Sequence, residues 1–238
     1  DLDTSTLYTT IFERLFDYLP DSNKQRLNMQ YRMHPVIGDM VSKIFYNNTV
    51  DTGCKESDKT HQIKKYQGCA IVWLNTANCK NKWERKIEHT TTFMNNLEVQ
   101  IIKDQLRLID ESMNENNYDI GIITPYSGQK EAIRKQIKNM SFTNITEQIP
   151  VNSVDAFQGG QKDIVIYSTV RSNRQKNSGF ATKKERVNVS FSRAKRLLII
   201  VGDMNQVDNF NNDNRFPEII EYMKNNQETC KIIDYSKK

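Results

Sequence analysis

With 238 residues, 34 Lys and Arg against 29 Asp and Glu, a net charge of +5 and a pI near 8.9, the chain can bury a sizeable core and suits a polyanionic partner without demanding one. No apolar run approaches the roughly 20 residues of a membrane span, and no signal-peptide pattern opens the chain. The four cysteines, Cys54, Cys69, Cys79 and Cys230, are scattered without a CxxC pair, which reads as reduced thiols in an intracellular, cytoplasmic protein.

The chain starts at Asp1 without a methionine and reads as a piece of something longer. From residue 4 to 19, Leu7, Ile11, Leu15 and Tyr18 recur at helical spacing, and Pro20 and Asp21 end the helix. A short strand over 26–30 leads into YRMHP, and Pro35, favoured in a first helical turn, opens a helix to about Tyr46. A strand is predicted over 70–74. Its polar flanks, 50–68 and 75–92, lack periodicity and read as long loops. The best amphipathic helix covers 96–113, with Ile102, Leu106, Ile109 and Met113 on one stripe. Regular alternation follows: strand 119–124, helix 128–140, strands 149–154 and 164–170, helix 184–194, strand 197–201, helices 205–210 and 217–226, and a last strand 231–233. That order argues for an α/β fold whose mostly parallel sheet is covered by helices on both faces. Residues 172–183 read as a mobile surface loop.

The densest chemistry lies between Val151 and Asp203. Arg171, Arg186, Arg193 and Lys195 fall at junctions of strands and helices, where guanidinium forks can grip phosphate. The carboxyl ends of the strands are the expected ligand edge of such a sheet. The phosphate-cradling pattern GxxxxGK[ST] is absent from these residues, so Asp203 after Leu198–Val201 reads as a turn aspartate capping a buried strand, not as a magnesium ligand. Thr124-Pro125-Tyr126-Ser127-Gly128-Gln129 joins a strand to a helix, and its hydroxyls and first helical N–H groups suit a sugar-phosphate backbone, but on this segment alone an ordinary strand-to-helix turn with Ser127 as cap is the better account. Ser153 and Asp155 admit the same two readings. His34 has no second ligand at metal spacing, so no metal site is expected. No nucleophile–His–acid arrangement is present.

Four segments carry a resemblance: LNMQYRMHPVIGDMVSKIFYNNTV, IGIITPYSGQKEAIRKQI, VNSVDAFQGGQKDIVIYSTVRSN and RVNVSFSRAKRLLIIVGD. In this order, from about Leu27 to Asp203, they resemble the C-terminal, second RecA-like motor domain of superfamily 1 helicases, in the branch of the nonsense-mediated-decay RNA helicase and senataxin. The resemblance implies a RecA-like, P-loop NTPase-type three-layer α/β/α domain lacking the P-loop itself. It would cover 1–238, with a core at about 24–235 and the helix over 4–19 leading in from a first motor domain. It further implies ATP with Mg2+ as cofactor, held mainly by that N-terminal RecA-like domain of the same protein.

The resemblance assigns roles residue by residue. Gln30 and Tyr31 belong to the nucleotide set, with Tyr31 near the adenine. Arg32 and Arg193 reach the γ-phosphate as the catalytic pair, and Gly159 and Gly160 let backbone approach the nucleotide. Gln161 stands where the family commonly has an acidic residue for the ribose, and can still hydrogen-bond a hydroxyl. Thr124, Tyr126, Ser153, Asp155 and Ser192 fall to the contact with single-stranded DNA or RNA, or to its coupling with ATP. The implied activity is an ATP-dependent helicase or translocase, by the habit of this branch moving 5′ to 3′, with this piece monomeric and inactive alone. A non-catalytic α/β nucleic-acid-binding module that has lost its ATPase is the other reading.

Overall fold

A run of β-branched residues with no polar alternation is stable as a strand only when both of its faces are covered. The runs predicted at 164–170 and 197–201 meet that condition at the centre of the molecule. The computed structural model describes residues 11–25, 27–113, 117–157, 160–208 and 214–237, with the backbone alone at 11–14, 155 and 180. In chain order the elements are α1 (Ile11–Tyr18), β1 (Met29–Gln30), α2 (Pro35–Phe45), β2 (Asp51–Thr52), β3 (Ile71–Asn75), β4 (Arg85–Lys86), β5 (Phe93–Met94) and α3 (Asn96–Ser112). There follow β6 (Ile120–Ile123), α4 (Ser127–Lys138), β7 (Val151–Asn152), β8 (Lys162–Ser168), α5 (Lys184–Phe191), β9 (Ala194–Gly202), α6 (Met204–Val207), α7 (Phe216–Asn225) and β10 (Cys230–Asp234).

Among the described residues the principal sheet has six strands in the order β10-β3-β9-β8-β6-β7, and every neighbouring pair is parallel. The period of two along each strand divides the core. Ile71, Trp73, Val165, Tyr167, Leu198 and Ile200 face the layer of α2, α5 and α7. Val72, Leu74, Ile164, Ile166, Ile199 and Val201 face the layer of α3 and α4. Phe216 anchors the first layer, edge-on to Trp73 at 5.7 Å and to Phe191 at 6.0 Å between ring centroids. This is the three-layer, RecA-like α/β/α arrangement with a parallel sheet.

Local signals set the helix starts. His34 caps α2, its Nδ1 accepting from the Val36 N–H at 3.2 Å with Pro35 in the first turn. Asn95 caps α3 by accepting from the Glu98 N–H at 3.2 Å. Asp203 caps α6 through the Asn205 N–H at 3.0 Å, the turn role expected for it.

Several boundaries and loops differ from expectation. Residues 4–10 of the first helix lie outside the described residues, as do 209 and 210 of the one predicted over 205–210. β8 stops at Ser168, because the next residues turn sharply. β9 starts at Ala194, because Lys195 and Arg196 pair with Asp163 at 3.0 and 3.1 Å and carry the strand beyond its apolar run. Residues 174–177 are at the surface as expected, but Ser172, Ser178, Ala181 and Thr182 are buried and 179–182 form a 3₁₀ turn. Glu84 causes this by accepting from the Ser172 N–H at 2.7 Å across 88 residues of sequence. The stretches read as loops hold short ribbons, β2 beside β1 and β4 against β5.

Gly202 ends β9 at a φ of 155°, and a Cβ there would lie 1.9 Å from Thr169 Oγ1. Thr169 is buried and cannot step aside. Gly202→Ala is therefore expected to cost about 1–3 kcal/mol, read as a lower midpoint in urea at unchanged slope.

Candidate functional site

The predicted ligand residues divide between opposite edges of the sheet, where sequence had placed them on one. Arg193, Gly160 and Gln161 come immediately before β9 and β8, at the amino edge. Thr124, Ser153 and Arg171 come after β6, β7 and β8, at the carboxyl edge. A parallel sheet makes these edges distinct, separated by the length of the strands.

At the amino edge the turn between β1 and α2 delivers Arg32. Gln30 shapes that turn: its Oε1 accepts from the Arg32 and Met33 N–H groups at 2.9 and 2.8 Å, and its Nε2 donates to Thr52 Oγ1 at 2.8 Å. The Gln30 amide is thus committed to holding Arg32 in place. Tyr31 projects outward, 68% exposed, with its ring over Gly53, where any Cβ would meet it at 2.3 Å. Arg32 Nη1 donates to the Ser192 carbonyl at 3.2 Å. The next residue, Arg193, donates through Nε to Val189 O at 3.0 Å and through Nη1 to Gly160 O at 3.1 Å. Both guanidiniums therefore grip the same backbone turn at the end of α5. Ser192, expected with the strand-binding residues, belongs to this group instead. Gln161 is exposed beside it, and Gly159 lies outside the described residues.

The electrostatics of this pair are unusual. Among the described residues neither Arg32 nor Arg193 has a carboxylate partner, although Lys195 and Arg196 next to them share Asp163. Burial, and after it the Arg32 guanidinium, push the Arg193 pKa down, so its charge is held at a cost. An anion between the two forks removes that cost. His34, whose N–H donates to Lys195 O at 2.7 Å, ties the same turn to β9.

At the carboxyl edge the side chains are less accessible than predicted. Thr124 is fully buried, with an Oγ1 that meets no partner among the described residues. Tyr126 is also buried, its hydroxyl accepting from Arg171 Nη1 at 2.9 Å and its ring edge-on to Phe93 at 5.5 Å. The Gly128 N–H at the start of α4 donates to Thr92 Oγ1 at 3.0 Å and is not open to a phosphate. Arg171 is buried too, paired to Glu84 at 2.9 Å and stacked on Phe93 at 4.4 Å. Of the cations first grouped as phosphate grips, Arg171 is therefore neutralised by Glu84, and Lys195 is engaged with the Asp163 carboxylate that Arg196 also uses. Ser153 is half-buried after β7, and Asp155 begins the 3₁₀ turn Asp155–Phe157.

Sequence reasoning missed Glu98, and the structure gives it a central place. Its buried carboxyl accepts from Ser168 Oγ at 2.6 Å and the Val170 N–H at 2.9 Å through Oε2, with Oε1 3.3 Å from Thr169 Oγ1. Desolvation pushes its pKa up to about 8, against the pull of those three hydrogen bonds. Asn95 Nδ2 donates to the Val170 carbonyl at 3.1 Å, so the cap of α3 and the glutamate three residues after it hold Val170 from both sides. Val170 has a φ of 70°, and the Arg171 N–H closes back on the Thr169 carbonyl at 2.8 Å. That is a γ-turn of the strained sign, centred on a β-branched residue. The missed signal was NNLE at 95–98, which has capping-box spacing. Its glutamate turns down to the end of β8 instead of back to the cap.

Among the described residues, no group of three or more His, Cys, Asp or Glu could hold a metal ion. No described helix is long and apolar enough to cross a membrane. The AAA domain family matches residues 7–205 of the chain. Regulator of nonsense transcripts 1 of Caenorhabditis elegans is 33% identical over 206 residues, covering 83% of this chain and 18% of that protein. Helicase sen1 of Schizosaccharomyces pombe is 31% identical over 183 residues, 75% of this chain and 10% of that one. ATP-dependent helicase NAM7 of Saccharomyces cerevisiae is 32% identical over 208 residues, 83% of this chain and 20% of that one. The chain thus spans a fifth or less of the length of these relatives.

Proposed function

The chain belongs to the AAA domain family and is a superfamily 1 helicase domain of the nonsense-mediated-decay and senataxin branch, and on that premise we propose that it is the second motor half of an ATP-dependent helicase or translocase. In this reading the amino edge meets ATP held by a first RecA-like domain, and the carboxyl edge follows single-stranded DNA or RNA. The observation that carries it is the Arg32–Arg193 pair, two guanidiniums brought onto one turn with carbonyl partners only. An arginine pair left without carboxylates fits a terminal phosphate. The pair also suits an arginine finger, which stabilises charge developing on a transferred phosphoryl group from outside the phosphate loop.

When bound, ATP supplies the phosphoryl group and the free energy of its hydrolysis. The chain's own residues do the rest. Arg193 and Arg32 favour whichever interdomain arrangement brings an anion between them, and a ligand shifts an equilibrium only through such differential contacts. Tyr31, exposed over Gly53, offers its ring face to a base. Ser153 after β7 stands at the carboxyl edge and Gly160 before β8 at the amino edge, so a short length of chain joins the two. At the carboxyl edge Tyr126, Arg171 and the Glu98-held turn position the surface that a strand would meet. The four scattered cysteines, with no CxxC pair in the sequence, are the ground for the reducing, intracellular setting we assign.

ATP hydrolysis by the protein that carries this domain, measured with and without single strands, tests the reading. Turnover stimulated by single-stranded nucleic acid is the expected result. Turnover indifferent to single strands overturns it, and binding without any turnover assigns the domain to the non-catalytic class.

A further inference from the structure

We propose that Trp83, in a segment without any legible role in the sequence, is a base-stacking platform for single-stranded nucleic acid on the carboxyl edge. The inference deepens the reading above and rests on its placing of a strand along that edge. Residues 82–84 lie across the ends of β8 and β9. Lys82 turns inward, its Nζ 2.9 Å from Asp203 Oδ2 and 2.8 Å from Ala77 O, and its carbonyl accepts from Asn95 Nδ2 at 2.8 Å. Glu84 also turns inward, accepting from Arg171 Nε at 2.9 Å and the Ser172 N–H at 2.7 Å, while its own N–H donates to Ser172 O at 3.0 Å. The residue between these two inward anchors is left on the outer side. Trp83 is 45% exposed, and its indole N–H has no partner among the described residues.

Burial does not account for this indole. Its flanks are pinned by buried ion pairs, so the ring is presented at small conformational cost. Cations lie beside it: Arg174 Cζ is 6.0 Å from the ring centroid, and Lys80, Arg85 and Lys86 are exposed nearby in the chain, whereas the Lys82 ammonium, 5.1 Å from the centroid, is already paired with Asp203. Among the described residues Arg174, Lys80 and Lys86 have no carboxylate partner. A rigid aromatic face among cations at a sheet edge matches the recognition of single strands, in which bases stack on the ring and phosphates meet the positive charges. An apolar protein partner has no use for the cations, and a simple polyanion has no use for the indole.

The 238-residue chain carries its own sheet and both helical layers, so it serves directly for the test. Trp73 is fully buried with its Nε1 donating to Gly202 O at 3.1 Å, which leaves Trp83 as the tryptophan open to quenching. Titration with oligo(dT) or oligo(U) is expected to quench that emission. One base–aromatic stack is worth about 1–3 kcal/mol, so Trp83→Ala should weaken binding about 5- to 150-fold at fixed salt. Trp83→Phe should bind nearly as the native chain while losing the quench. Arg174→Ala should lower the salt slope by about one phosphate contact, and Trp83→Ala should leave the slope unchanged. Native oligonucleotide binding that Trp83→Ala leaves intact overturns the platform alone and spares the helicase reading. Poly-glutamate bound as tightly as oligo(dT) overturns it in favour of an acidic partner, and no binding by the native chain overturns platform and strand-gripping edge together.

Discussion

In the protein that carries this domain, Arg193→Ala is expected to slow ATP turnover by about 10³- to 10⁵-fold. The structural cost of the change is small. The Arg193 guanidinium donates to two carbonyls, of Val189 and Gly160, and both lie on partly exposed backbone that water can satisfy. Its charge is disfavoured where it stands, by burial first and by Arg32 second, so removal also relieves a repulsion. The melting temperature should therefore move little while kcat collapses, a split that a purely structural arginine does not produce. Arg193→Lys keeps the charge but loses the planar fork, and is expected to restore only a small part of the rate. Arg32→Ala should show a similar loss, and the double variant should fall well short of the product of the two, because both forks act on one turn. Turnover unchanged in Arg193→Ala removes the pair from the mechanism and leaves Arg32 and Arg193 as helix-end braces.

The sheet was legible in the sequence because its strands are buried on both faces. Runs such as Ile164–Ile166 and Leu197–Val201 admit no other placement, and the helices between them force parallel pairing. Which edge a residue occupies was less legible. Arg193 and Arg171 both border a strand, but one precedes β9 and the other follows β8, so the sheet's length lies between them. Side-chain accessibility was not legible at all. Tyr126 reads as a contact residue until Arg171, 45 residues away, and Phe93 are seen to enclose it. The buried Arg171–Glu84 pair joins residues 87 apart, and no local pattern could have announced it. Glu98 was hidden differently, because its spacing from Asn95 offered a sufficient local explanation that the fold does not use. Such departures from local rule collect at sites with a task.

Glu98→Ala gives the largest expected effect on stability. Removing the carboxyl leaves the Val170 N–H and Ser168 Oγ without their acceptor in a fully buried place. Each orphaned polar group costs about 1–3 kcal/mol, and the positive-φ turn at Val170 loses one of its two holds. A loss of about 3–5 kcal/mol follows, or roughly 10 °C in melting temperature for a domain of this size. Glu98→Gln separates shape from charge. With a folded pKa of about 8 against an ordinary 4.5, Glu98 is protonated in the native state across a window in which the unfolded chain has released that proton. Between those values the native state binds more protons, so the Glu98 contribution is complete below about pH 4.5 and falls as pH rises towards 8, by at most about 1.4 kcal/mol per pH unit. The neutral amide of Glu98→Gln has no such window. Urea titrations of both proteins at several pH values should therefore give a stability difference that moves in favour of the variant as pH climbs through that interval. A pH-independent difference means that Glu98 is ionised in the fold, its charge carried by Ser168, Thr169 and the Val170 N–H. The strained turn would then be held by a carboxylate, and the carboxyl edge would carry one more negative charge against any strand laid along it.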